Sequence, residues 1–126
     1  MDTGRVNGRR VLVVDDDAGF RATAGRLLES EGWSVVGEAH DGASALAAAA
    51  SLRPDVVLLD IGLPDIDGFI VAERMASDGT PDIVLVSSRD RGTYAWRIAS
   101  SVAVGFIAKG DLDGDGLRAL LVAGSD

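Results

Sequence analysis

Five short apolar runs, at 11–14, 33–37, 56–59, 83–86 and 103–108, constrain the fold of this 126-residue chain more than any other feature. Each has the length of a strand, and four are continuously apolar or nearly so. A strand that buries one face alternates apolar with polar residues. One that is apolar throughout is covered on both faces, as in a parallel sheet held between helices. Helical stretches fill the intervals: 18–30, 43–52 with Asp41 as N-cap, 69–77, 93–101, and a short one at 117–123. Strand followed by helix, five times over, selects the α/β class. Right-handed crossovers then give a doubly wound five-stranded parallel sheet with helices on both faces.

The length suits one domain with one core, expected to span 9–124 between loose ends at 1–8 and 125–126. Hydrophobic residues are 47% of the chain and charged residues 25%, an ordinary globular balance. With 20 acidic against 12 basic side chains the net charge is −8, which argues against direct nucleic-acid binding. The first apolar run is cut short by three aspartates, too soon for a signal peptide or a membrane span, so a cytoplasmic location is expected. There is no cysteine, which excludes a disulfide framework, a thiolate metal site and a thiol nucleophile.

The apolar runs end in chemistry. Asp15, Asp16 and Asp17 follow the first strand, and Asp60 closes the third in VVLLDIGLPDIDG. In the order 2-1-3-4-5, strands one and three are neighbours where the winding reverses, and ligands bind there at the carboxyl ends of strands. Carboxylates about 4 Å apart repel by about 4 kcal/mol at an effective dielectric near 20. Either one is protonated or a cation is bound, and an oxygen-only donor set suits a hard ion such as Mg²⁺. Taken alone, the three aspartates could simply cap the first helix. Ser87 and Lys109 end strands four and five, roughly 5 and 10 Å from strand three, and can converge on Asp60. A hydroxyl, an ammonium and a cation around one carboxylate are what a transferring phosphoryl group requires.

VLVVDDD, VVLLDIGLPDIDG, IVLVSS and GFIAK stand in an order and at a spacing that resemble the response-regulator receiver domain over nearly the whole chain. The resemblance implies a flavodoxin-like sheet of order 2-1-3-4-5, an order also found in a chemotaxis member of that family. It implies that Asp60 is the phosphoacceptor, that Asp15 and Asp16 hold Mg²⁺ together with Asp60 and the backbone carbonyl of Gly62, and that Ser87 and Lys109 bind the phosphoryl group. Phe106 would be the switch aromatic. The partners it implies are a sensor histidine kinase or phosphotransfer protein and a downstream protein received on the face of helix four, strand five and helix five. VVGEAHDGASAL is similar to receivers that precede a helix-turn-helix output domain, and these 126 residues are expected to hold the receiver alone.

Some residues depart from the family's pattern. Gly110, not proline, follows Lys109, which puts the loop geometry there in question. Phe106 has no hydroxyl, so switching would act through burial of its ring. Helix five reads as short. In helix four Ala95, Ile98, Ala99 and Val102 fall on one stripe and are expected to face the core, with Tyr94 and Trp96 on its flanks. DLDGDG at 111–116 matches the start of a calcium loop, but its twelfth place is Val122, and it reads as a turn that caps helix five. His40, alone in a strand-to-helix loop, reads as neither phosphohistidine nor ligand, and Trp33 as a residue packed in or beside the sheet. The competing enzymatic reading is a Mg²⁺-dependent phosphatase or phosphotransferase with Asp60 as nucleophile on an external substrate. A flavin or nucleotide binder is disfavoured by the acidic loop after strand one.

Overall fold

The computed structural model describes residues 9–76, 81–89 and 91–124. Its strands are β1 (Arg10–Val14), β2 (Ser34–Ala39), β3 (Val56–Asp60), β4 (Asp82–Ser87) and β5 (Gly105–Ala108). Its helices are α1 (Ala18–Ser30), α2 (Gly42–Leu52), α3 (Gly68–Ala76), α4 (Ala95–Ala99) and α5 (Gly114–Gly124), with 3₁₀ turns at Arg91–Tyr94 and Lys109–Asp111. The strands are parallel in the order β2-β1-β3-β4-β5, as the alternation of the sequence predicts. The ends read as loose, 1–8 and 125–126, and Ser77 of the third predicted helix lie outside the described residues.

Alternate side chains of each strand enter opposite layers. Leu12, Val14, Val57, Leu59, Ile83, Leu85 and Phe106 meet Ala45 of α2, Phe69, Val71 and Met75 of α3, and Ile98 of α4. Val11, Val13, Val56, Leu58, Val84, Val86 and Ile107 meet Ala24 and Leu28 of α1, Leu117 and Leu121 of α5, and Trp33. β3 is buried over its whole length, which is why it reads as an unbroken apolar run ending on one acid. Each of its four aliphatic side chains contributes about 1.5–3 kcal/mol by burial.

The three aspartates after β1 divide their work. Asp17 is the N-cap of α1, its carboxylate accepting from the Gly19 and Phe20 N–H groups. Capping takes that one residue and leaves Asp15 and Asp16 free of it. Asp41 caps α2 as expected, and Ser44 closes a reciprocal capping box. The DLDGDG turn caps α5: Gly116 N–H donates to the Asp113 carboxylate at 2.6 Å. That cap starts the helix at Gly114, so α5 has 11 residues and is longer than the sequence suggests.

Two further expectations are corrected. α4 has five residues, and only Ile98 of the expected stripe is buried; Ala95, Ala99 and Val102 are exposed. A stripe needs two helical turns to bury a face, and this segment spends its first turn as 3₁₀ and stops at Ala99. β2 begins after Trp33, not on it. An irregularity where β1 steps from Val11 to Leu12 while β2 steps from Val35 to Gly37 leaves one extra residue in β2 and carries its pairing on to Ala39.

Candidate functional site

The carboxyl ends of β1, β3, β4 and β5 open into a cleft of about 500 Å³ lined by Asp16, Asp60, Gly62, Ser87, Arg89 and Lys109, with Phe20 and Tyr94 at its sides. Asp15 lies beneath it, fully buried. Oxygens of Asp15, Asp16 and Asp60 lie within 4.8 Å of one another, Asp15 and Asp60 buried and Asp16 exposed. The order β1-β3-β4 explains the convergence, because Val14 pairs with Leu59 and Asp60 with Val86, so each polar side chain emerges one step beyond a paired apolar residue.

Backbone groups fix the acids. The Asp17 N–H donates to Asp15 Oδ1 at 2.9 Å, and the Gly62 N–H donates to Asp60 Oδ1 at 3.2 Å. Asp15 Oδ2 faces the Lys109 ammonium at 2.6 Å, and that ammonium stands 3.9 Å from Asp60 Oδ2. Ser87 Oγ accepts the Arg89 N–H at 3.0 Å, which leaves the hydroxyl proton to be donated. Arg21 Nη1 donates to the backbone carbonyl of Asp15 at 2.7 Å while its Nε donates to Glu38 at 2.9 Å, clamping the β1–α1 loop to β2. Gly68, the first residue of α3, is pressed so close to β3 that a Cβ there would lie 2.7 Å from the Asp60 carbonyl oxygen and from the Ile61 Cα. Only glycine admits that approach.

These contacts set the charges. Burial, then the Asp15 carboxylate, and last Asp16, push the Asp60 carboxyl above the usual aspartate range against the opposing pull of Lys109 and the Gly62 N–H. Burial alone would lower the Lys109 ammonium, but its bond to Asp15 and the charges of Asp60, Asp15 and Asp17 hold it above the usual lysine range. The donor set fits a hard divalent cation: oxygen only, three carboxylates, two of them shielded from water.

Asp15, Asp16, Asp60, Gly62, Ser87 and Lys109, each singled out in the sequence, are thus gathered in one place. Phe106 is not in it. Its ring is buried in the layer between the sheet and α3–α4. The loop question at Gly110 resolves into a 3₁₀ turn that starts at Lys109 itself. His40 is exposed; its imidazole stands 3.5 Å from the Asp41 carboxylate, and its backbone N–H donates to Ser44 Oγ at 3.3 Å. Three contributors to the site were not foreseen: Phe20 and Arg21 on α1, and Tyr94, whose ring packs on Phe69 with centroids 6.1 Å apart.

Residues 11–121 match the model of the response regulator receiver domain, and the chain belongs to that family, a module of two-component signalling. A Pseudomonas aeruginosa protein named as a transcriptional regulator is 41% identical over 101 residues, covering 79% of this chain and 49% of that protein. The chain therefore spans about half the length of the curated relatives it matches. The receiver domain of the response regulator NarL from Mycobacterium tuberculosis superposes with a TM-score of 0.80 at 35% identity, covering 94% of this chain and 97% of that one. The response regulator TrrA of Thermotoga maritima, solved in complex with Mg²⁺ and BeF, superposes with a TM-score of 0.78 at 28% identity, over 92% of this chain and 98% of its own.

Proposed function

We propose that Asp60 accepts a phosphoryl group from a phosphohistidine of a sensor kinase or phosphotransfer protein, and that residues 9–124 are the switch this reaction throws. The observation that carries the reading is the convergence of Asp15, Asp16, Asp60, Ser87 and Lys109 from four strand ends on one cleft. An oxygen of the Asp60 carboxylate bonds to phosphorus as the bond from phosphorus to the imidazole nitrogen breaks. The imidazole leaves with the electron pair. Asp15, Asp16, Asp60 and the Gly62 carbonyl would hold Mg²⁺, which supplies positive charge to the phosphoryl oxygens when bound. Lys109 and the Ser87 hydroxyl would meet the remaining oxygens.

The setting is the cytoplasm. Among the described residues no helix is long and apolar enough to cross a membrane. The output surface is the face of α4, β5 and α5, where Trp96 and Val102 are exposed, at 75% and 47%. The domain acts on its own phosphoryl group. For a phosphatase working on an external substrate, Gly62, two residues beyond Asp60, supplies no side chain to serve as a general acid.

Incubation with acetyl phosphate and Mg²⁺ is expected to add one phosphoryl group, detected by mass, and Asp60→Asn is expected to add none. Equal labelling of Asp60→Asn, or labelling that survives removal of Mg²⁺, overturns the reading.

A further inference from the structure

Lys109 leaves β5 into a three-residue 3₁₀ turn, and the next residue, Gly110, is exposed with open space around it. Nothing in that backbone holds the lysine side chain on course. Its direction comes from what the side chain touches. Asp15 lies at 2.6 Å and Asp60 at 3.9 Å; the contact that carries no charge is the ring of Phe20, whose centroid lies 4.8 Å from the ammonium. Asp15, Asp60 and Lys109 all carry the strand parity of the layer that α1 covers, and Phe20, in the first turn of α1, packs against that layer. The ring is therefore anchored from below while its face meets the charge.

The face of an aromatic ring attracts a cation within about 6 Å, and the attraction grows as water is excluded. The Lys109 side chain is only 20% exposed. We propose that Phe20 is a positioning residue for Lys109, holding its ammonium at the cleft between the pairing with Asp15 and the approach to a phosphoryl group on Asp60. The ring suits this task better than a second carboxylate or an aliphatic side chain. A carboxylate would compete with the phosphoryl oxygens for the charge, and an aliphatic group would offer the ammonium no attraction on the side away from Asp15. A ring face binds without a fixed direction, so the ammonium can slide from Asp15 toward a phosphoryl oxygen and keep this contact throughout. The inference rests on Asp60 as the acceptor.

The test replaces Phe20 by phenylalanines bearing one, two and three ring fluorines, which drain the ring face at nearly constant volume. Two readouts are taken. In the protein without ligand, the side-chain proton resonances of Lys109 report the ring by their upfield displacement, which is expected to vanish in Phe20→Leu. With Mg²⁺ present, affinity for beryllofluoride is expected to weaken with each fluorine, to about tenfold at three, with Phe20→Tyr close to the parent. Melting temperatures without Mg²⁺ should stay level across the fluorine series. Affinity that is flat across the series overturns the proposal even if Phe20→Leu binds weakly, because packing alone would then account for the loss. Lys109 resonances that do not differ between the parent and Phe20→Leu overturn it as well. A parent that fails to bind beryllofluoride with Mg²⁺ counts against the acceptor reading instead, and the Lys109 resonances then decide on Phe20 separately.

Discussion

Gly62 and Arg89 lie on the cleft without belonging to its charged centre, and they are expected to set how long a phosphoryl group on Asp60 would survive. Hydrolysis requires a water in line with the bond between phosphorus and the Asp60 oxygen, and a polar side chain speeds it by holding that water. Gly62 offers no side chain, and Arg89, exposed on the cleft, can pair with phosphoryl oxygens without serving as a base. A slow loss of phosphate is expected. An added Cβ at Gly62 meets nothing within 4 Å, so the combination of Gly62→Asn with Arg89→Glu is sterically permitted. It is expected to hydrolyse roughly tenfold faster, equal to about 1.4 kcal/mol of barrier; a phosphate-release time course that is equal or slower excludes these two positions as the determinants. The acids of the site were legible in the sequence because each closes a continuous apolar run, which fixes both its strand and the end of that strand. Phe20 and Arg21 were not, because their partners lie far along the chain, at Lys109 and Glu38, and meet them only once α1 is docked on the sheet.

At the level of elements, the loop after β3 is bound to the start of α2. The Asp65 carboxylate accepts the Gly42 N–H at 2.7 Å and the Ala43 N–H at 3.0 Å, alongside the Asp41 cap on Ser44. Hydrogen bonds from Gly42, Ala43 and Ile66 hold the Asp65 carboxyl below the usual aspartate range, and the side-chain and backbone bonds of Ser44 do the same for Asp41. A folded-state pKa below the unfolded one contributes stability that is fully present above the unfolded value and is lost as pH falls through the folded value. Acid unfolding of the parent should therefore steepen below about pH 4, and Asp65→Ala should flatten that slope. Denaturant midpoints at neutral and acid pH give the answer, and parallel losses in the two proteins would remove Asp65 from the account. α4 makes the complementary point. The strands on either side were found from their apolar runs, β5 beginning two residues later than the run suggests, but five residues carry too little pattern to define a face, and the expected stripe misplaced Ala95, Ala99 and Val102. Exposed Trp96 now becomes a probe: in a Trp33→Phe background, beryllofluoride is expected to change its fluorescence, and an unchanged spectrum would count against α4 as part of the output face.

For the whole molecule, the sheet order that brings β1 beside β3 stores electrostatic repulsion at the switch point. Asp60 is buried beside Asp15 in a chain of net charge −8, and its carboxyl is held above the usual range mainly by that burial and that neighbour. A raised folded-state pKa for an acid means that the folded protein holds the proton more tightly than the unfolded chain, so stability falls as pH rises from the ordinary aspartate range through the raised value. At neutral pH the ionised Asp60 is consequently a net cost to the fold. Removing its charge should stabilise the protein in the absence of Mg²⁺, with each kcal/mol recovered raising the melting midpoint by about 4 °C in a domain of this length. Asp60→Asn keeps the side-chain shape and an acceptor for the Gly62 N–H, so the change isolates charge from packing. A cation that binds the folded state alone stabilises it by mass action, and that gain should be larger in the parent, which keeps all three carboxylates. Melting both proteins across a Mg²⁺ titration should therefore show Asp60→Asn ahead without the ion and the gap closing as Mg²⁺ rises. If the variant melts at or below the parent without Mg²⁺, the contacts of Lys109 with Asp60 outweigh its burial, and the stored repulsion is not there.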